Sequence, residues 1–120
     1  MHRVIVADDE PNFRRWLRSI LDNSADFQVV GEASSGTEAI RLAKLLLPDA
    51  VIADIYMPGL DGVEAVYYIK EKMPDIKVIL ISADEGCFYQ GLAQESGATA
   101  FIPKSGLSLC SLRQALRMGE

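Results

Sequence analysis

The chain has little of what most side-chain nucleophile and metal sites require: a single histidine, His2, and two cysteines, Cys87 and Cys110. With only one histidine, a Ser-His-Asp or Cys-His catalytic site is nearly excluded by composition. The cysteines are 23 positions apart, with no second pair and no histidine spacing typical of zinc. We expect two reduced, mostly buried thiols and no disulfide.

Long hydrophobic runs and an excess of basic charge are also missing. No run approaches the roughly 20 apolar residues of a membrane helix, and the residues before Val4 are too few for a secretory signal. A net charge of −5 at pH 7 argues against nucleic-acid binding by this chain, since that activity normally needs a basic face. We therefore expect a cytoplasmic protein that binds neither membrane nor nucleic acid directly.

The composition is that of an ordinary globular domain. The chain has 120 residues, of which 49% are hydrophobic and 24% charged, so it can form a hydrophobic core without disulfides or structural metal ions. A chain of this length usually forms one domain. We expect a single domain over residues 1–120, with its core at about 3–118, and no effector domain within the chain.

Short β-type runs alternate with stretches of helical spacing along the chain. The runs begin near Val4, Gln28, Ala50, Lys77 and Thr99. This alternation is typical of βαβ units and predicts a parallel sheet. Residues 50–53 and 78–81 are apolar throughout, as in strands covered on both faces. The sequence predicts an α/β fold, a five-stranded parallel sheet in a three-layer αβα sandwich.

The helical stretches differ in strength. The first has the clearest apolar stripe, which consists of Phe13, Trp16, Leu17, Ile20 and Leu21. Asp9 or Glu10 can cap it, and capping patterns also begin the second helix at Ser35 and the third near Asp61. The predicted fourth helix, roughly 84–96, contains two glycines that each cost about 1 kcal/mol relative to alanine. A fifth, leucine-rich helix follows.

Polar residues stand at the carboxyl ends of four predicted strands: Asp8 and Asp9, then Asp54, Ser82 and Lys104. Parallel strands bring these ends to one rim, where ligands of such sheets bind. Taken singly, each of these residues is most simply explained as a helix cap, a turn residue or an exposed surface residue. Together, three carboxylates repel each other unless a cation lies among them, and Mg²⁺ prefers such oxygen ligands. With a hydroxyl and a lysine added, the set suits phosphoryl transfer onto a carboxylate.

The set resembles the receiver domain of bacterial two-component response regulators over nearly the whole chain, from Val4 to about Leu116. The residues that carry the resemblance are Asp8-Asp9, Asp54 in the stretch DIYMPGLDG, Ser82-Ala83 and Lys104. The family fold is flavodoxin-like, with strand order 2-1-3-4-5. The stretch ILDNSADFQVVGEASSGTEAI and the ending LRQALRMGE are similar to LuxR/NarL-type receivers, which precede a helix-turn-helix domain.

The resemblance implies roles for the residues at the rim. Asp54 would accept a phosphoryl group, Lys104 would meet that group as a point charge, and Ser82 would donate its hydroxyl to it. The cofactor would be Mg²⁺ (or Mn²⁺), bound by Asp9 and Asp54, the backbone carbonyl of Tyr56 and, through water, Asp8. The protein would be a switch that phosphorylates and dephosphorylates itself, not a turnover enzyme.

Two further pairs of residues are implied. Ser82 and Phe101 would form the switch, which changes the face made by the fourth helix, the fifth strand and the fifth helix. We expect Tyr56 and Asp84 to set the lifetime of the phosphoryl group. Many receivers have a proline after the lysine, whereas here Ser105 follows Lys104, so no cis bond is expected there.

The partner implied is a sensor histidine kinase or a phosphotransfer protein. A homodimer, and a C-terminal helix-turn-helix DNA-binding domain in a longer protein, remain open. One alternative is a receiver that acts by docking without phosphorylation. Another is an enzyme, either an aspartyl-phosphate phosphatase or a flavin-binding relative. The phosphatases have a second aspartate where this chain has Tyr56, and no glycine-rich phosphate loop follows the first strand.

Overall fold

A computed structural model describes residues 1–83, 91 and 95–117 of the chain. Its centre is one parallel sheet of five strands: β1 (His2–Ala7), β2 (Phe27–Ala33), β3 (Ala50–Asp54), β4 (Lys77–Ser82) and β5 (Ala100–Pro103). Their order across the sheet is β2-β1-β3-β4-β5, and every neighbouring pair is parallel. This confirms the predicted flavodoxin-like fold.

The helices described in full are α1 (Pro11–Asp22), α2 (Gly36–Leu46), α3 (Gly62–Lys72) and α4 (Leu109–Arg117), with a 3₁₀ turn at Lys104–Gly106. Helix α4 is the predicted fifth helix. Most of the predicted fourth helix falls outside the described residues. Within its range the structure describes Gly91, Glu95 and Ser96, and these three are helical.

Two hydrophobic cores lie on opposite faces of the sheet, because successive strand residues point to opposite sides. On one face Ile5 and Val51 pack with α2 and α3. On the other, Val4 and Ile52 pack with α1 and α4. Strands β3 and β4 are covered on both sides, which explains their uninterrupted apolar runs. The result is the predicted three-layer sandwich.

The helix starts follow the predicted caps, while the predicted burial of Cys110 was wrong. Glu10 caps α1, Ser35 caps α2 and Asp61 caps α3, each through its side chain. Trp16, a member of the predicted apolar stripe of α1, is 45% exposed. Cys110 is a free thiol and is exposed, whereas Cys87 lies outside the described residues. Among the described helices, none is both long and apolar enough to cross a bilayer.

Candidate functional site

Asp54 is the last residue of β3, held between β1 and β4 at the carboxyl edge of the sheet. It is only 7% exposed, because the strand carries it into the rim. The chain turns away directly afterwards: Ile55 donates its backbone N–H to the Ile81 carbonyl, and Gly62 donates to the Ile55 carbonyl at 2.9 Å. The tip of a central strand therefore holds one carboxylate at the edge.

Asp8 and Asp9 follow β1 at the same edge. Asp8 is fully buried; its Oδ1 accepts the backbone N–H of Glu10 at 2.8 Å, and its backbone carbonyl accepts Nη1 of Arg14 at 2.6 Å. Asp9 is exposed. One carboxylate oxygen each from Asp8, Asp9 and Asp54 lies within 4.8 Å of the others. The three residues form an acidic pocket of hard oxygen donors that could hold a metal ion.

Lys104 reaches this pocket from the turn after β5. Its Nζ lies 2.8 Å from Asp8 Oδ2 and donates a hydrogen bond to Asp54 Oδ2 at 3.0 Å, and the side chain is only 17% exposed. Burial alone would lower the pKa of Lys104, but hydrogen bonds to Asp8 and Asp54 outweigh it and raise that pKa. The ammonium is therefore permanently charged at neutral pH.

The Asp54 carboxylate experiences opposing influences on its pKa. Burial raises the pKa of Asp54, and the nearby charge of Asp8 acts in the same direction. The Lys104 ammonium and the Tyr56 backbone N–H, which donates to Oδ1 at 3.1 Å, oppose that rise. The net shift is upward. The result is a poorly solvated but hydrogen-bonded carboxylate beside a cation.

Of the four other predicted site residues, the structure describes three: Ser82, Phe101 and Tyr56. Ser82 ends β4, one position beyond the partner of Asp54, and is 1% exposed. Phe101 lies in β5 opposite Leu80 and packs partly buried against the α2–α3 core. Tyr56 lies two positions after Asp54 and is 53% exposed. Asp84 lies outside the described residues.

Phe13 belongs to this neighbourhood, and sequence reasoning missed it. The helical spacing placed Phe13 only in the apolar stripe of the first helix. In the structure its ring lies under the lysine, with Lys104 Nζ 4.2 Å from the ring centroid. The available signal was its position: an aromatic residue four places after Asp9 stands in the first turn of the helix that leaves the rim.

The chain belongs to the response regulator receiver domain family. The family model matches residues 4–117. Within the family, the chain is 36% identical over 118 residues to the response regulator GacA of Pseudomonas viridiflava, covering 98% of this chain and 55% of GacA. The chain thus spans about half the length of the curated relatives it matches.

Solved structures give the same result. The signal receiver domain of the NarL response regulator from Mycobacterium tuberculosis superposes with a TM-score of 0.87 and 34% identity, covering 95% of both chains. A chain of the CheX–CheY–BeF₃–Mg²⁺ complex from Borrelia burgdorferi superposes with a TM-score of 0.84 and 29% identity, covering 96% of this chain and 86% of that one. The predicted likeness to LuxR/NarL-type receivers is thereby confirmed.

Proposed function

We propose that this receiver domain accepts a phosphoryl group on Asp54 from the phosphohistidine of a sensor kinase or phosphotransfer protein. The observation that carries the proposal is the contact of the partly buried Lys104 ammonium with Asp8 and Asp54 at the edge where the strands end. An Asp54 oxygen bonds to phosphorus as the phosphorus–nitrogen bond of the donor breaks, which releases a neutral or protonated imidazole. The change in charge at Asp54 then drives the switch.

Phosphoryl transfer of this kind depends mainly on neutralising the charge of the phosphoryl group and on positioning the attacking carboxylate. The charged Lys104 ammonium already donates a hydrogen bond to Asp54. When Asp54 is phosphorylated, the ammonium can contact the negatively charged phosphoryl oxygens instead. We assign the Ser82 hydroxyl to one of those oxygens, because Ser82 ends the neighbouring strand. In this scheme the domain returns to its resting state by hydrolysis of its own acyl phosphate. It turns over no external substrate.

The metal assigned to the acidic pocket is Mg²⁺ (or Mn²⁺). Three carboxylates and one ammonium leave negative charge uncompensated, and oxygen donors of this kind suit a hard divalent cation. Asp9 and Asp54 would hold the ion directly, Asp8 through water, and Tyr56 through its backbone carbonyl. When bound, the ion supplies charge stabilisation to the transferring phosphoryl group. The similarity to a chain of the CheX–CheY–BeF₃–Mg²⁺ complex supports this assignment.

Output would pass through Ser82 and Phe101 to the face that includes β5 and α4, as a shift between two pre-existing arrangements. GacA is about twice as long as the aligned segment, which supports a longer parent protein with a further output domain. For a LuxR/NarL-type receiver, we assign that domain as a helix-turn-helix DNA-binding domain.

The test is phosphorylation by acetyl phosphate with Mg²⁺, followed by intact mass measurement. Wild type gains one phosphoryl group, and Asp54→Asn gains none because the nucleophile is removed. Wild type without an adduct would favour a docking module. An adduct of equal yield in Asp54→Asn would disprove Asp54 as the acceptor, and rapid turnover of phosphate esters would favour a phosphatase.

Tyr56 and Asp84 are assigned to the lifetime of the acyl phosphate. The exposed ring of Tyr56 can shield the phosphoryl group from water, since its own backbone N–H is bonded to Asp54. Tyr56→Ala is expected to speed acyl-phosphate decay, measured as loss of the adduct mass with time. Decay rates that do not change in Tyr56→Ala and in Asp84→Ala would refute the assignment.

A further inference from the structure

The Phe13 ring is fixed in place by the start of α1. Glu10 caps the helix, and its Oε2 accepts the backbone N–H of Phe13 at 2.7 Å. One turn further, Trp16 lies against Phe13 with 5.4 Å between ring centroids. The ring is thus held from its backbone and from one flank, while Lys104 Nζ lies 4.2 Å from its centroid.

The ring differs from the other partners of Lys104 in one respect. The ammonium touches two carboxylates, Asp8 and Asp54, and both belong to the acidic pocket that a divalent cation would share. Competition for those oxygens weakens the hold of the carboxylates on Lys104. The face of an aromatic ring attracts a cation without binding Mg²⁺ in place of a carboxylate. Phe13 is a neutral contact of this ammonium.

We propose that Phe13 is a positioning residue for phosphoryl transfer, whose ring keeps the Lys104 ammonium beside Asp54 when a divalent cation occupies the acidic pocket. The inference rests on the proposed function and adds a residue to it. Phe13 touches neither the phosphoryl group nor the metal; it acts through Lys104. Its loss therefore affects the transition state, where Lys104 meets the developing charge, more than the binding of the phosphoryl donor.

The first experiment measures phosphorylation kinetics with acetyl phosphate and Mg²⁺. An Asp54 oxygen bonds to phosphorus, the bond from phosphorus to the acetate oxygen breaks, and acetate leaves. Phe13→Leu keeps apolar bulk but removes the ring face, and we expect its maximal rate to fall about three- to tenfold with little change in KM. Phe13→Tyr keeps the ring and is expected to retain the rate within about twofold.

A second measurement does not depend on phosphorylation. The last methylene of Lys104 is bonded to Nζ, which lies over the Phe13 ring, so we expect its protons to show an upfield ring-current shift by NMR. We expect that shift to persist when wild type is saturated with Mg²⁺ alone, and to vanish in Phe13→Leu. If Mg²⁺ removes the shift in wild type, the ring does not hold the ammonium in the metal-bound state, and the proposal fails.

The controls separate the possible failures. Ile20→Ala trims a partly buried side chain on the same helix and core, two turns from Phe13, and should leave the maximal rate unchanged. Wild-type rates in Phe13→Leu, with the adduct still lost in Asp54→Asn, overturn the role of Phe13 and leave the proposed function intact. Absence of any wild-type adduct overturns the proposed function. Should Phe13→Leu fail to fold, Phe13→Tyr and the wild-type NMR titration still decide.

Discussion

At the scale of single residues, the position of the Asp54 carboxylate depends on two close backbone contacts that only glycine allows. A Cβ on Gly62 would lie 2.3 Å from the backbone oxygen of Asp54, and one on Gly36 would lie 2.1 Å from the backbone oxygen of Leu60. Both contacts are with backbone, which cannot rotate away as a flexible side chain could. Gly62 and Gly36 therefore allow the loop between Asp54 and α3 to pack closely against the tip of β3 and against the start of α2.

We expect Gly62→Ala to lower the free energy of unfolding by about 1–3 kcal/mol, because the added methyl forces the strand tip and the helix start apart. Urea denaturation measures this change. Gly106→Ala is the matched control, since a Cβ at Gly106 meets nothing within 4 Å. Equal stability of the two variants would show that the close approach at Gly62 is not needed.

At the scale of elements, a bidentate ion pair ties α4 to the turn before β2. Arg113 donates from Nε to Asp26 Oδ2 at 2.7 Å and from Nη2 to Asp26 Oδ1 at 2.8 Å. These bonds, with one from the Ser24 hydroxyl, hold the pKa of Asp26 well below its usual range. The pair lies at the end of the sheet opposite the acidic pocket and anchors the helix that contributes to the proposed output face.

Because the folded-state pKa of Asp26 is lowered, its stabilisation is fully present above the unfolded pKa, near 3.9, and is lost as pH falls from there toward the folded value. We expect Asp26→Asn to unfold at a lower temperature than wild type at pH 7. The difference should shrink as pH drops below about 4. Thermal denaturation at several pH values measures it, with Glu71→Gln, an exposed carboxylate on α3, as the control. A difference independent of pH would argue against the ion pair.

Much of the element structure could be predicted from local sequence. Caps at Glu10 and Ser35 and two uninterrupted apolar strands are local signals with direct physical causes. The apolar stripe of α1 does not show which of its members are covered: Leu17 and Leu21 are fully buried, whereas Trp16 is 45% exposed. How far a helix rolls on its sheet is decided by packing, which periodicity does not encode.

At the scale of the whole molecule, the fold gathers charge at one end of the sheet. Asp8, Asp9 and Asp54 meet there in a chain of net charge −5, and the Lys104 ammonium contacts Asp8 and Asp54. This gathering could be predicted, because parallel strands deliver their carboxyl ends to one edge. The contact between Phe13 and Lys104 could not, since it depends on how α1, which packs on β1 and β2, lies relative to the turn after β5.

If Mg²⁺ binds the acidic pocket as proposed, it should stabilise the whole fold, because it would bind the folded state and relieve the repulsion between the carboxylates. At free Mg²⁺ tenfold above its Kd, linkage gives about 1.4 kcal/mol and a higher unfolding temperature. Asp9→Asn removes one of the three like charges: we expect it to be more stable than wild type without metal, and to lose most of the Mg²⁺ response. A response that survives in Asp9→Asn would contradict the assigned metal site. NaCl at matched ionic strength controls for screening.

The most direct test of phosphoryl transfer to Asp54 locates the new bond. The protein is treated with acetyl phosphate and Mg²⁺, reduced with borohydride, which converts an aspartyl phosphate to homoserine, digested, and sequenced by tandem mass spectrometry. We predict homoserine at position 54 and unmodified aspartate at positions 8 and 9. Homoserine at another position, or at none, would contradict the central claim.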